Sequence, residues 1–144
     1  MTDNGQDRLR IVLAILEQAD GRIVLQLRSD VEGIANPNQW GLFGGHVELG
    51  ESPATAMLRE IDEELSLQLR PEKLKLLTEW RNPKNSGQYF FYHYPLGNEI
   101  DRAELREGER FAAFFPGQLY LGVIEGHQIV DHHLDYLKAF WETE

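Results

Sequence analysis

The stretch from Ser52 to Leu67 constrains this chain more than any other. Ser52 and Pro53 announce a helix: serine serves as N-cap, and proline takes the first helical position, where its missing N–H costs nothing. Ala54, Met57, Leu58, Ile61 and Leu65 follow at helical spacing and predict one apolar stripe, so the helix must pack on a core. Strand-forming runs surround it. Leu9 to Leu16 and Arg22 to Leu27 flank Ala19-Asp20-Gly21, and Asp-Gly between two such runs predicts a hairpin. Trp40 to Glu48 reads as two short strands broken by the pair Gly44-Gly45. Leu74 to Trp80 and Tyr89 to Leu96 read as two more strands around the turn Asn82 to Gly87. Phe111 to Phe115 is a further short strand, and Asp131 to Trp141 a closing helix with Asp131 as its N-cap. Ser29 to Gly41, with Gly33, Asn36, Pro37 and Asn38, reads as a long loop, a length that is functional or disordered in most compact domains. The pattern predicts an α/β fold, a mixed sheet between helices, in one domain over residues 1–144 with no linker or repeat.

The polar side of the predicted helix is unusual. With Ala54 as origin and ~100° per residue, Glu64 falls near 280°, Glu60 near 240° and Glu63 near 180°, beside a stripe centred on Ala54 and Leu65. Glu60 and Glu64 form a like-charge i,i+4 pair that costs a few tenths of a kcal/mol. They also lie in the C-terminal half, where the helix dipole disfavours anions. Local energetics would not place them there, whereas a hard divalent cation would reverse the sign of the repulsion. An ordinary solvated acidic face with Arg59 and Glu63 as an i,i+4 pair is the competing reading. Asp62, near 80° on the opposite flank, reads as a solvated charge. Gly44 and Gly45 allow the backbone approaches that would offer a carbonyl to a metal or an amide to a phosphate.

Charge and composition narrow the partners. The chain has 24 acidic and 14 basic residues, a formal charge of −10, and no Lys/Arg run. Such a surface repels a nucleic-acid backbone. No segment approaches the ~20 apolar residues of a membrane span, and the polar N-terminus lacks a signal peptide's apolar stretch. The absence of cysteine excludes disulfides and thiolate metal sites and suits a reducing cytoplasm. His46, His93, His127, His132 and His133 show no metal-binding spacing and read as surface or packing residues. Of the aromatics Trp40, Tyr89, Phe91 and Tyr92, Trp40, beside the glycine pair, is the one read as stacking on a base.

Together these residues resemble the Nudix box, G-x5-E-x7-R-E-U-x-E-E-x-G-U, where U is a bulky aliphatic. Gly45, Glu51, Arg59, Glu60, Ile61, Glu63, Glu64 and Leu67 fit it, and Ser66 departs from it. The resemblance implies the family's α/β/α sandwich and hydrolysis of a nucleoside diphosphate linked to another group, with Mg²⁺ as cofactor and Mn²⁺ as a substitute. It implies Glu60, Glu63, Glu64 and the Gly44 carbonyl as metal ligands, with Arg59 and Glu51 orienting carboxylates. Glu107 resembles a downstream glutamate that serves as a further ligand or as general base, a role that Glu64 also fits. Arg28 and Gly45 would meet substrate phosphates. Ser66 stands where the family has a glycine that serves as helix C-cap, and Phe43 where many relatives have proline.

The expected substrate is a small nucleotide, a nucleoside triphosphate before ADP-ribose or a nucleotide sugar. Pro83, sixteen positions after Leu67, resembles the spacing of ADP-ribose hydrolases. A non-catalytic nucleotide-binding domain would not need to retain the repelling glutamates, and an RNA-decapping enzyme would need a basic stretch. The oligomeric state is left open, a homodimer included.

Overall fold

The computed structural model describes residues 9–29, 36–104 and 110–142. The apolar run at the start forms β1 (Arg10–Glu17), and the hairpin predicted at Asp20-Gly21 returns as β2 (Ile23–Leu27). Gly21 takes a left-handed backbone, φ 91°, as such a turn requires. The two strands pair only near the turn, Leu16 with Val24 and Glu17 with Ile23. Beyond that point they splay, and another segment enters between them.

That segment carries β3 (Trp40–Gly41) and β4 (Phe43–His46). β3 pairs with Gln26 and Leu27 of β2, while β4 pairs with Ile11 to Ala14 of β1. The outer edge of β2 is taken by β7 (Arg110–Phe114), and that of β1 by β6 (Gln88–Pro95), which runs parallel to it. The segment from Trp40 to His46 is therefore a wedge inside the sheet. The break expected at the glycine pair lies instead at Leu42, and Gly44-Gly45 continue one strand. β5 (Lys75–Arg81) closes the far edge of this seven-stranded mixed sheet.

Helix α1 (Pro53–Leu65) begins as predicted, the Ser52 hydroxyl accepting the Thr55 N–H at 3.2 Å. It covers one face of the sheet, where Met57, Ile61 and Leu65 meet Val12, Ala14, Leu16 and Phe43. A short helix α2 (Pro116–Leu119), not foreseen in the sequence, and the small hairpin β8 (Val123–Ile124) and β9 (His127–Gln128) follow β7. Helix α3 (Asp131–Glu142) covers the other face, Leu137 packing among Leu13, Ile15, Leu25 and Phe91. With both faces covered, β1 is apolar at every position from Ile11 to Leu16 rather than alternating. Among the described residues no helix is long and apolar enough to cross a membrane.

The stripe of α1 is rotated from its expected centre. Ala54 is exposed and Ala56 is buried, so the covered arc turns towards Glu60 and Glu64. The helix ends at Ser66, which adopts φ 55° and ψ 34° and donates its N–H to the Asp62 carbonyl at 2.9 Å. Its hydroxyl is buried without a hydrogen-bond partner. Glycine would remove both the left-handed strain and the unsatisfied group. Ser66→Gly should stabilise the fold by about 1 kcal/mol, read in urea denaturation or as a rise of about 3 °C in Tm. A lower midpoint would show that the hydroxyl contributes in a way the cap geometry does not reveal.

Candidate functional site

The wedge brings the glycine pair against α1. A Cβ on Gly44 would overlap the Val12 carbonyl, and one on Gly45 would overlap the Glu60 carboxylate. Strand and helix approach this closely only because neither residue has a side chain. The Gly44 N–H donates to Glu64 Oε1 at 3.2 Å, and Glu64 is only 4% exposed. A carboxylate so far from water requires compensating donors and charge. The amide is one source. Arg28, at the end of β2, is another: burial lowers its basicity, and the charge of Glu64 partly restores it.

Arg59 organises the remaining carboxylates. Its Nε and Nη2 donate to the two oxygens of Glu51 at 2.7 and 2.9 Å, a bidentate fork. Nη1 donates to Glu60 at 3.1 Å and to Glu63 at 3.2 Å, and Nη2 also reaches the His46 carbonyl at 2.9 Å. Glu51 further accepts the Glu48 N–H at 2.9 Å. These bonds, those of Arg59 first, hold the Glu51 carboxyl below its usual range, while the carboxylates raise Arg59 in turn.

Glu60, Glu63, Glu64, Gly44, Gly45 and Arg28 line one cleft of about 630 Å³. The structure thus brings together most of the residues the sequence singled out. Glu51 does not line the cleft and acts on it through Arg59. Glu107 lies outside the described residues. Trp40 is a correction: it is fully buried, edge-on to Phe114 at 5.0 Å, with its indole N–H donating to the Ile124 carbonyl at 3.2 Å. Strand alternation puts Trp40 and Leu42 on the α3 face and Phe43 on the α1 face, so Trp40 offers no ring to a base.

His132 and His133 pack, as the sequence reading allows, and both also line the cleft. His133 is 4% exposed, and its Nδ1 accepts the Leu42 N–H at 3.1 Å. Burial, then the nearby His132 and Arg28, push its pKa well below the ordinary value. A sequence signal existed: His133 precedes the core residue Leu137 by one helical repeat and so falls on the buried stripe of α3. Gln26 and Asn85, also in the lining, carried no such signal.

The donor chemistry of the α1 end fits a hard divalent cation. The carboxylate oxygens of Glu60, Glu63 and Glu64 suit such an ion, and among the described residues of the lining Arg28 is the one Arg or Lys side chain. Among the described residues no three such groups converge on one point, since Arg59 draws Glu60 and Glu63 to itself.

Comparison with known proteins follows the same lines. The NUDIX domain family matches residues 7–127. Over 62 residues the chain is 45% identical to the nucleoside triphosphatase NudI of Escherichia coli O139:H28, a match covering 43% of each protein. The chain therefore spans less than half the length of the curated relatives it matches. Among solved structures, the MutT protein of Methanosarcina mazei Go1 superposes with a TM-score of 0.76 at 17% identity, covering 98% of both chains. A bifunctional NMN adenylyltransferase/ADP ribose pyrophosphatase of Francisella tularensis, complexed with AMP and a Mn ion, gives 0.66 at 15% identity, over 96% of this chain and 42% of that one. At these identities the likeness is one of fold.

The two glycines should respond differently to alanine. Gly44→Ala presses on main chain that cannot move and should cost about 3 kcal/mol or more. Gly45→Ala presses on a carboxylate that can swing aside, and should cost about 1 kcal/mol while displacing Glu60. Equal losses in urea denaturation would contradict this geometry. His133 adds a pH dependence. Its folded pKa lies below 6.5, so the unfolded chain binds the proton more readily. The contribution to stability is full above pH 6.5 and declines as pH falls towards the folded value. His133→Asn, which keeps an acceptor for Leu42, should flatten that slope in Tm-versus-pH curves.

Proposed function

The chain belongs to the Nudix hydrolase family, and from that premise we propose that it hydrolyses the pyrophosphate linkage of a nucleoside triphosphate. The observation that carries this reading is the cleft in which the carboxylates of α1 and Arg28 gather beside the glycine pair of β4. Glutamates alone would repel a polyphosphate. With a cation bound they become a site for one, and Nudix hydrolases in general need divalent cations. Glu60, Glu63 and Glu64 would hold Mg²⁺, with the Gly44 carbonyl as a further ligand, and Mn²⁺ would suit the same oxygen donors. When bound, the cation neutralises phosphate charge and makes water more acidic.

The residues of the chain supply the rest. Arg28, in the cleft beside Glu64, would bind phosphate oxygens, aided by the Gly45 backbone. Arg59, anchored on Glu51, holds Glu60 and Glu63 at the edge of the cleft, from where each would turn to the cation. Glu64, steadied by the Gly44 amide, would accept the proton of the attacking water; Glu107 is the other carboxylate suited to that step. Attack on phosphorus breaks one bridging P–O bond and releases a nucleoside monophosphate and pyrophosphate. The triphosphate is favoured over ADP-ribose or a nucleotide sugar because the relative matched at 45% identity is a nucleoside triphosphatase.

Purified protein should release a nucleoside monophosphate and pyrophosphate from at least one triphosphate. EDTA should abolish turnover, and Mg²⁺ or Mn²⁺ should restore it. Glu64→Gln should lower kcat about a thousandfold without loss of fold by circular dichroism. Metal-dependent turnover that survives alanine at both Glu63 and Glu64 would refute the assignment. Turnover of ADP-ribose or a nucleotide sugar alone would keep the reaction and replace the substrate.

A further inference from the structure

The wedge changes its pairing partner at a single residue. β3 pairs with β2 as far as Gly41, and β4 pairs with β1 from Phe43 onward. Leu42 belongs to neither register, and it is fully buried. A buried main-chain N–H and carbonyl outside a ladder require other partners. Side chains supply both. The Leu42 N–H donates to His133 Nδ1 at 3.1 Å, and the Leu42 carbonyl accepts the Gln26 side-chain N–H at 3.5 Å.

These bonds belong to a pattern. Apart from phenols and indoles, the buried polar or charged side chains among the described residues are Gln26, Glu64, Asn82 and His133. Three of these bind the main chain of one short stretch, Leu42 to Gly44, since Glu64 accepts the Gly44 N–H at 3.2 Å. Burying such groups is costly, and here the cost is concentrated on the segment that leads into the carboxylate site.

The partner on α3 is itself held in place. The His133 ring lies against the main chain of Gly41, where a Cβ would stand 3.0 Å from Nδ1. Just before α3, the Val130 N–H donates to the Trp40 carbonyl at 2.9 Å. The start of α3 and the start of the wedge are therefore joined by main chain as well as by the imidazole. β4, by contrast, pairs with β1 and with no other strand among the described residues. A strand fastened along one edge can tilt about that edge. The bonds to Leu42 hold it from a second direction, two residues before Gly44.

We propose that His133 and Gln26 are positioning residues for the cation site: by holding Leu42 between them they fix where Gly44 stands, and Gly44 in turn fixes Glu64. The inference rests on the reading above that the carboxylates of α1 and the Gly44 carbonyl take a divalent cation. It requires no contact of either side chain with substrate, and it can be measured without turnover.

The test is the Mn²⁺ affinity of the substrate-free protein, read by calorimetry. His133→Leu, which offers no acceptor to Leu42, should weaken Mn²⁺ binding about tenfold. His133→Asn, which keeps an acceptor, should stay within about threefold of wild type, and Gln26→Leu, which removes the longer bond, should lie between. If His133 serves packing alone, His133→Leu will lower the denaturation midpoint and leave Mn²⁺ affinity unchanged, and that result overturns the proposal. Coupling is reciprocal, so Mg²⁺ added to the ¹⁵N-labelled wild-type protein should shift the His133 Nδ1 signal. A silent signal in protein that binds Mg²⁺ overturns the proposal even if His133→Leu does not fold. Mn²⁺ affinity that follows the variant series without hydrolysis of any triphosphate would refute the hydrolase and leave the positioning roles standing. Hydrolysis with an affinity indifferent to His133→Leu would do the reverse, and a wild-type protein that binds neither cation would sink both.

Discussion

The close approach of α1 to the glycine pair of β4 is the constraint on which the site depends. Gly44 leaves no room for a Cβ against the Val12 main chain, and Gly45 none against the Glu60 carboxylate. Any larger residue at these positions would push the helix away from the sheet or turn its glutamates to solvent. The glycines can be reached at all because β1 and β2 pair only near their turn and admit Trp40 to His46 between them. Sheet topology thus creates the slot, and the glycines bring the glutamates close to it. The Gly44 amide then supplies a hydrogen bond that a buried carboxylate would otherwise lack.

Charge makes the same arrangement expensive without a counter-ion. Glu51, Glu60, Glu63 and Glu64 all lie on or beside α1, two of them in its C-terminal turn. Arg59 holds three of the four with one planar guanidinium, which a lysine could not do. The division of labour is physical: Glu51 takes the fork and ties Arg59 down, leaving Nη1 to be shared by Glu60 and Glu63. A carboxylate bound through one shared nitrogen is easier to redirect than one held in a fork. That suits groups meant to exchange a guanidinium contact for a cation.

Much of the fold was legible because its signals are local. The Asp20-Gly21 turn, the Ser52-Pro53 start and the spacing from Gly45 to Leu67 each involve residues close in sequence. The orientation of α1 was not legible, since Ala54 and Ala56 are small enough to sit on either side and only the packed sheet decides. Trp40 misled because nearness in sequence to the glycine pair suggested nearness in the cleft, whereas its odd spacing from Phe43 and Gly45 puts its ring on the α3 face, inside the core. The two histidines were missed for a different reason. They belong to a helix some ninety positions away from the glycine strand, and the Leu42–His133 hydrogen bond and the contact of Gly41 with the His133 ring show that the two meet.

That last contact explains how helices on opposite faces of one sheet can serve a single cleft. An unbroken sheet would separate α1 from α3. Here the splay between β1 and β2 interrupts it, and the wedge that fills the gap presents its amides to both sides. Gly44 donates to Glu64 of α1, and Leu42, two residues earlier, donates to His133 of α3. One short segment, Leu42 to Gly44, is therefore the common anchor for Glu64 and for His133. The separation of the two side chains is set by main chain rather than by flexible side chains.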